Sequence, residues 1–150
     1  MNRVVPLLAA LICAQACDRP PQAPLVTVTD AVVTLPAVPG RPGAAYFTLR
    51  TNNGPTRLTG ISSRQVGRIE LHETVRRGSL SRMGPIRETS FSPGAPLTFA
   101  PGGRHAMLFD LDPSLSAGGR LRLTFTFDPA PPVTVEAELR GPGDAGRRGD

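Results

Sequence analysis

Prolines and glycines, 17 and 16 of them in 150 residues, cut this chain into pieces too short to build a helical core. Val, Leu, Thr and Phe recur instead in short alternating runs, the pattern of half-buried strands, and no long stretch keeps a helical period. Val26-Thr27-Val28-Thr29, Val32-Val33-Thr34 and Ala45-Tyr46-Phe47-Thr48-Leu49 read as strands, broken by Pro36, Pro39, Gly40, Pro42 and Gly43. Asn52-Asn53-Gly54 is a strong turn signal. The spacing predicts further strands over 56–63, 68–75, 79–87, 104–111, 120–127 and 132–139. Gly67, Gly78, Pro93-Gly94, Pro101-Gly102-Gly103, Ala117-Gly118-Gly119 and Pro129-Ala130-Pro131-Pro132 punctuate them. Many short strands at this spacing predict an all-β sandwich of two sheets with Greek-key connections. The length leaves room for a single domain, expected over residues 25–139.

The ends of the chain read differently. Residues 1–16 have the form of an export signal: Arg3 gives the positive start, Val4 to Ala14 the apolar stretch and Ala14-Gln15-Ala16 a small-x-small cleavage site. Cleavage there makes Cys17 the first residue, the position at which a bacterial lipoprotein carries its lipid. The lipidation pattern is degraded, since no Leu stands three places before Cys17 and Gln15 replaces a smaller residue, so lipid anchoring and simple secretion both stay open. Either way the expected location is periplasmic or otherwise extracytoplasmic, with membrane contact only through that anchor. Residues 17–24 form a proline-rich spacer, and 140–150 a Gly-, Pro- and Arg-rich flexible tail. Cys13 lies in the leader and Cys17 at its end, which leaves the expected domain without a disulfide, a redox pair or a thiolate metal site.

The net charge of +5 comes from arginine alone, as there is no lysine, and the arginines are scattered rather than gathered in a stripe. With one Tyr, six Phe and no Trp there is no platform for stacking bases either. Charge without a footprint argues against nucleic acid as a partner.

Chemistry concentrates in one segment. The expected domain holds only two histidines and two methionines, in the order His72, ten residues, Met83, twenty-one residues, His105, one residue, Met107. Taken singly, a histidine is ordinarily a surface or satisfied core residue and a methionine is filler. Together they form a set of borderline and soft uncharged donors, and thioether sulfur favours copper(I) over zinc or magnesium. His105 and Met107, two apart, leave the same face of a strand. His72 and Met83 flank Gly78, where a hairpin would bring their strands side by side.

The same residues carry a family resemblance. Glu70-Leu71-His72-Glu73, then Met83, Pro101-Gly102-Gly103 and His105-Ala106-Met107-Leu108, resemble the periplasmic copper chaperones called PCu(A)C, whose signature is H-x10-M-x21-H-x-M. Leu35 to Pro42, followed by Ala44 to Leu49, is similar to that family's first loop and second strand, and the likeness runs over roughly residues 25–138. The resemblance implies a cupredoxin-like sandwich with a copper(I) site near the surface, its ligand roles falling on His72, Met83, His105 and Met107. It implies delivery of copper to the CuA centre of cytochrome c oxidase during assembly, beside thioredoxin-like copper chaperones. Two positions depart from the family: Val32 stands where tryptophan is common, and Thr74 where a further methionine often follows the first ligand. The tail has neither His nor Met, so no second copper site is expected.

Rival readings are an exported module that only buffers copper, or a metal-free sandwich that binds a protein partner. An enzyme is not expected, because no nucleophile, base and orienting acid group together and copper redox sites draw on cysteine or more histidines. Arg82 and Arg104 each precede a donor and should point to the opposite face as solvated charges. Glu73 and Asp110 are candidates to dock a partner or orient a histidine, without support from spacing. Ser79 and Ser81 are read as hairpin residues.

Overall fold

The computed structural model describes residues 25–144. The expected leader, Cys17, the spacer up to residue 24 and residues 145–150 of the tail lie outside the described residues.

The described residues form ten strands and no helix: β1 (Val26–Thr34), β2 (Gly43–Thr51), β3 (Thr56–Ser62), β4 (Val66–Arg77), β5 (Leu80–Ile86), β6 (Thr89–Phe91), β7 (Leu97–Phe99), β8 (Arg104–Leu111), β9 (Arg120–Asp128) and β10 (Val133–Arg140). The two runs expected before Pro36 are one strand. Asp30, at φ 56°, takes up the irregularity as a bulge, and the pairing with β2 changes register between Thr29 and Val32. β6 and β7 were not expected, since three residues are too few to show alternation, and the segment between them carries Pro93-Gly94 and Pro96.

Hydrogen bonding makes one continuous ladder in the order β5-β4-β8-β2-β1-β10-β9-β3-β6, with β7 paired to β2. The two layers of the sandwich are halves of this ladder, joined because β1 pairs antiparallel with β2 and parallel with β10. The ladder must fold over. β2 and β9 are three places apart, about 14 Å in a flat sheet at the usual strand spacing. Yet the rings of Phe47 and Phe125 meet edge-on with centroids 4.8 Å apart. Phe99 stacks on the other side of Phe47 at 4.4 Å.

Alternation explains which side chains line the interior. Ala45, Phe47 and Leu49 of β2, Leu121, Leu123, Phe125 and Phe127 of β9, and Ala106 and Leu108 of β8 are all buried, with exposed or half-buried residues between them. Burying a Leu or Phe side chain is worth roughly 1.5–3 kcal/mol, so these positions hold the strand registers in place.

β4, β5 and β8 lie at one edge and carry the segment singled out above. Gly67 lets β4 and β8 approach closely, because a Cβ there would lie 2.9 Å from Cβ of Asp110. At the other end of β4, Arg77 pairs with Leu80, leaving Gly78 and Ser79 as a two-residue turn. Gly78 has φ 61°, as the first central position of a II′ hairpin turn requires.

Candidate metal centre

The registers of the three edge strands decide which donors share a face. His72 is paired with His105, Glu70 with Met107 and Thr74 with Met83. Glu70, His72 and Thr74 alternate along β4, so their cross-strand partners Met107, His105 and Met83 stand on the same outer face. The opposite face carries Leu71, Ala106 and Leu108 into the core. The structure thus places all four donors expected from sequence on one surface of three adjacent strands.

The donors differ in depth. Met83, on edge strand β5, is 53% exposed, whereas the His72 side chain is only 14% exposed. His105 and Met107 are half-buried. The imidazole centroids lie 6.0 Å apart.

Hydrogen bonds set the imidazole faces. Nδ1 of His105 lies 3.0 Å from the carbonyl oxygen of Gly103, which can only accept, so in the neutral ring Nδ1 carries the proton and Nε2 the lone pair. That Nε2 sits 3.1 Å from Sδ of Met83. Two Lewis-basic atoms therefore face each other, an arrangement that a cation between them satisfies. In His72 the pattern is reversed: Nε2 lies 3.1 Å from Oε2 of Glu70, and Nδ1 is buried with no hydrogen-bond partner. A buried polar atom without a partner is unusual and costs about 1–3 kcal/mol, so an unpaired nitrogen within the cluster fits a ligand position.

The Gly103 carbonyl depends on a short excursion of the chain. Residues 100–103 leave the ladder between β7 and β8, closed by Ala100 N–H to the Arg104 carbonyl (2.8 Å) and Gly103 N–H to the Ala100 carbonyl (3.0 Å). Thr74, facing Met83, donates its N–H to the same Gly103 oxygen at 3.2 Å, tying the loop to both strands of the cluster. Pro101-Gly102-Gly103 reads as punctuation in the sequence, and nothing there signals that its carbonyl meets a histidine.

Of the charged residues weighed from sequence, Glu73 pairs with Arg104 at 3.0 Å, on the face opposite the donors, and Asp110 packs against Gly67. Neither has a hydrogen bond to a histidine; Glu70 has one. Arg82 stands beside Val75 on that opposite face, as expected, while Arg104 is ion-paired rather than simply solvated. The i−2 spacing of Glu70 from His72 was the available signal for its contact.

Among the described residues no three His, Cys, Asp or Glu side chains form a group that could hold a metal ion. The set that does gather is two imidazoles and two thioethers, uncharged and in part soft.

Known proteins share the family and the fold of this chain. The family described as "Putative lipoprotein LpqE-like" matches residues 26–139. The Rickettsia prowazekii protein RP573 is 38% identical over 87 residues, 57% of this chain and 48% of its own length. The chain spans about half the length of the curated relatives it matches. Among solved structures, the copper-bound PCuAC domain from PmoF2 has a TM-score of 0.66 at 21% identity, covering 78% of this chain and 93% of that one. The CuI-DR1885 protein of Deinococcus radiodurans, in solution, has a TM-score of 0.60 at 24% identity, covering 89% and 87%. The fold is thus that of the PCuAC domains, a cupredoxin-like Greek-key β-sandwich.

Proposed function

The chain belongs to the LpqE-like family, and from that premise we propose that it is an extracytoplasmic copper(I) carrier that holds the ion with His72, Met83, His105 and Met107. The observation that carries this reading is the approach of His105 Nε2 to Met83 Sδ at 3.1 Å, on the strand face that also bears His72, whose Nδ1 has no hydrogen-bond partner. The PCuAC domain from PmoF2 was solved with copper and DR1885 with CuI, which supports the same cargo here. The solved domains that share this fold include copper-bound ones, which supports a carrier rather than an enzyme.

Each donor has a distinct part. The imidazoles supply nitrogen that binds copper once unprotonated, and the thioethers supply sulfur that prefers the reduced ion and discriminates against zinc. Met83, exposed at the rim, is the donor that an acceptor displaces first, while His72 anchors the ion from below. An uncharged set of this kind holds copper(I) without trapping it, as handover requires. The acceptor we propose is the CuA centre of cytochrome c oxidase, with thioredoxin-like copper chaperones as partners. The lipoprotein description of the family supports tethering through Cys17.

The test is an anaerobic titration of the purified protein with copper(I) against a competing chelator, followed by X-ray absorption of the loaded form. One copper per chain, with both sulfur and nitrogen scatterers, is expected. A first shell fitted by nitrogen and oxygen alone would remove the methionines from the site.

A further inference from the structure

Among the described residues, Glu70 is the only charged side chain hydrogen-bonded to either histidine of the cluster. Its carboxylate is itself held. One oxygen takes the guanidinium of Arg68 and the other lies 3.1 Å from Nε2 of His72. Arg68 in turn lies over the ring of Phe109, its guanidinium carbon 4.2 Å from the centroid. Arg68, Glu70 and His72 are alternate residues of β4, and Phe109 faces Arg68 from β8. A chain of contacts therefore runs along one face from Phe109 through Arg68 and Glu70 to the histidine.

A carboxylate accepts and an imidazole N–H donates, so in the neutral ring, the form that binds a metal, this contact puts the His72 proton on Nε2 and leaves the lone pair on Nδ1, the buried atom with no partner. We infer that Glu70 is a positioning residue that orients His72 to bind copper through Nδ1, while the Gly103 carbonyl orients His105 to bind through Nε2. The inference rests on the copper reading above and adds to it the role of Glu70 and the identity of the binding nitrogen on each ring. A carboxylate that merely occupied the metal-binding nitrogen would act in the opposite sense, competing with copper.

The experiment combines imidazole ¹⁵N NMR with copper(I) competition on the full chain, for wild type, E70A and E70Q. In the wild type, copper(I) should shift Nδ1 of His72 and Nε2 of His105, while Nε2 of His72 keeps a slowly exchanging proton. E70A should lose that slow exchange and bind copper(I) about 10–100-fold more weakly, the usual cost of removing an outer partner of a metal-bound histidine. Gln accepts the same hydrogen bond, so E70Q should recover most of the affinity. Unchanged cooperative unfolding of the copper-free variants separates orientation from folding. A copper-induced shift on Nε2 of His72 overturns the inference, as does E70A binding as tightly as wild type or more tightly. Equal losses in E70A and E70Q overturn it too, by assigning the effect to charge. Failure of the wild type to bind copper(I) at all overturns instead the copper reading on which it stands.

Discussion

Removing copper should leave the domain folded, because the core is built without the four donors. The buried apolar cluster consists of Val, Leu, Ile, Ala and Phe side chains, and Met83 stands 53% exposed outside it. In a zinc finger, by contrast, metal binding is the folding free energy. Copper should then act as a ligand of an already native state. At free copper(I) a hundred times the dissociation constant it adds about 2.7 kcal/mol. Each kcal/mol moves the midpoint of a domain this size by about 3–5 °C, so loading should raise it by roughly 10 °C. Met83→Leu keeps the side-chain volume at an exposed position and should change the copper-free stability by no more than about 0.5 kcal/mol. A tenfold loss of affinity in that variant removes about 1.4 kcal/mol of the increment, halving the shift at the same copper concentration. Anaerobic calorimetry with chelator-buffered copper(I) on both proteins measures all four midpoints. A copper-free wild type without a cooperative transition would refute the separation of core and site. So would a Met83→Leu midpoint that falls equally with and without copper.

Four further outcomes are expected. Phe47→Ala removes the ring between Phe99 and Phe125 and should cost about 3–5 kcal/mol in urea unfolding; a loss below about 1.5 kcal/mol would mean the two layers do not meet there. Gly67→Ala drives a Cβ against Asp110 and should destabilise by about 1–3 kcal/mol, whereas Gly84→Ala, with open space around it, should not; equal effects would discount the close approach of β4 and β8. Protons compete with copper for imidazole but not for thioether, so affinity should weaken as pH falls. Replacing both His72 and His105 should flatten that slope and replacing both Met83 and Met107 should preserve it; one slope for all three proteins would cancel the division of roles. Finally, the Ser114 N–H holds the Asp112 carboxyl below its ordinary 3.8, so its contribution is present above that value and is lost as pH falls through the lowered one. Asp112→Ala should therefore be less stable than wild type at neutral pH, with the gap closing in acid; a gap constant with pH would contradict this.

Much of the arrangement was readable from residues because alternation and turn chemistry are local. Strand β8 runs over the expected residues, and the two-residue turn at Gly78-Ser79 fixes the register that sets Met83 opposite Thr74, on the His72 face. What could not be read depends on contacts distant in sequence. The joining of two layers into one ladder rests on β1 pairing with β10, more than a hundred residues away. The role of the Gly103 carbonyl rests on a backbone excursion that Pro and Gly announce without specifying. Glu70 and Glu73 both stand in the motif around His72, but Glu73 adjoins His72 in sequence and therefore points to the other face, whereas Glu70, two residues away, shares its face.

That opposition of faces also explains why the donor cluster exists before any ion binds. Ala106 and Leu108 alternate with His105 and Met107 on β8, and both are fully buried. A slip of one residue in β8 would turn both donors inward and expel Leu108, losing roughly 1.5–3 kcal/mol of burial and placing an imidazole in the apolar core. β4 has the same constraint, since Leu71 is buried one residue before His72. The residues that hold the register are thus the immediate neighbours of the residues that gather the donors. The fold rather than the metal sets the relative positions of the four side chains, and an ion can be taken up or given away at the exposed Met83 rim without disturbing the strands beneath it.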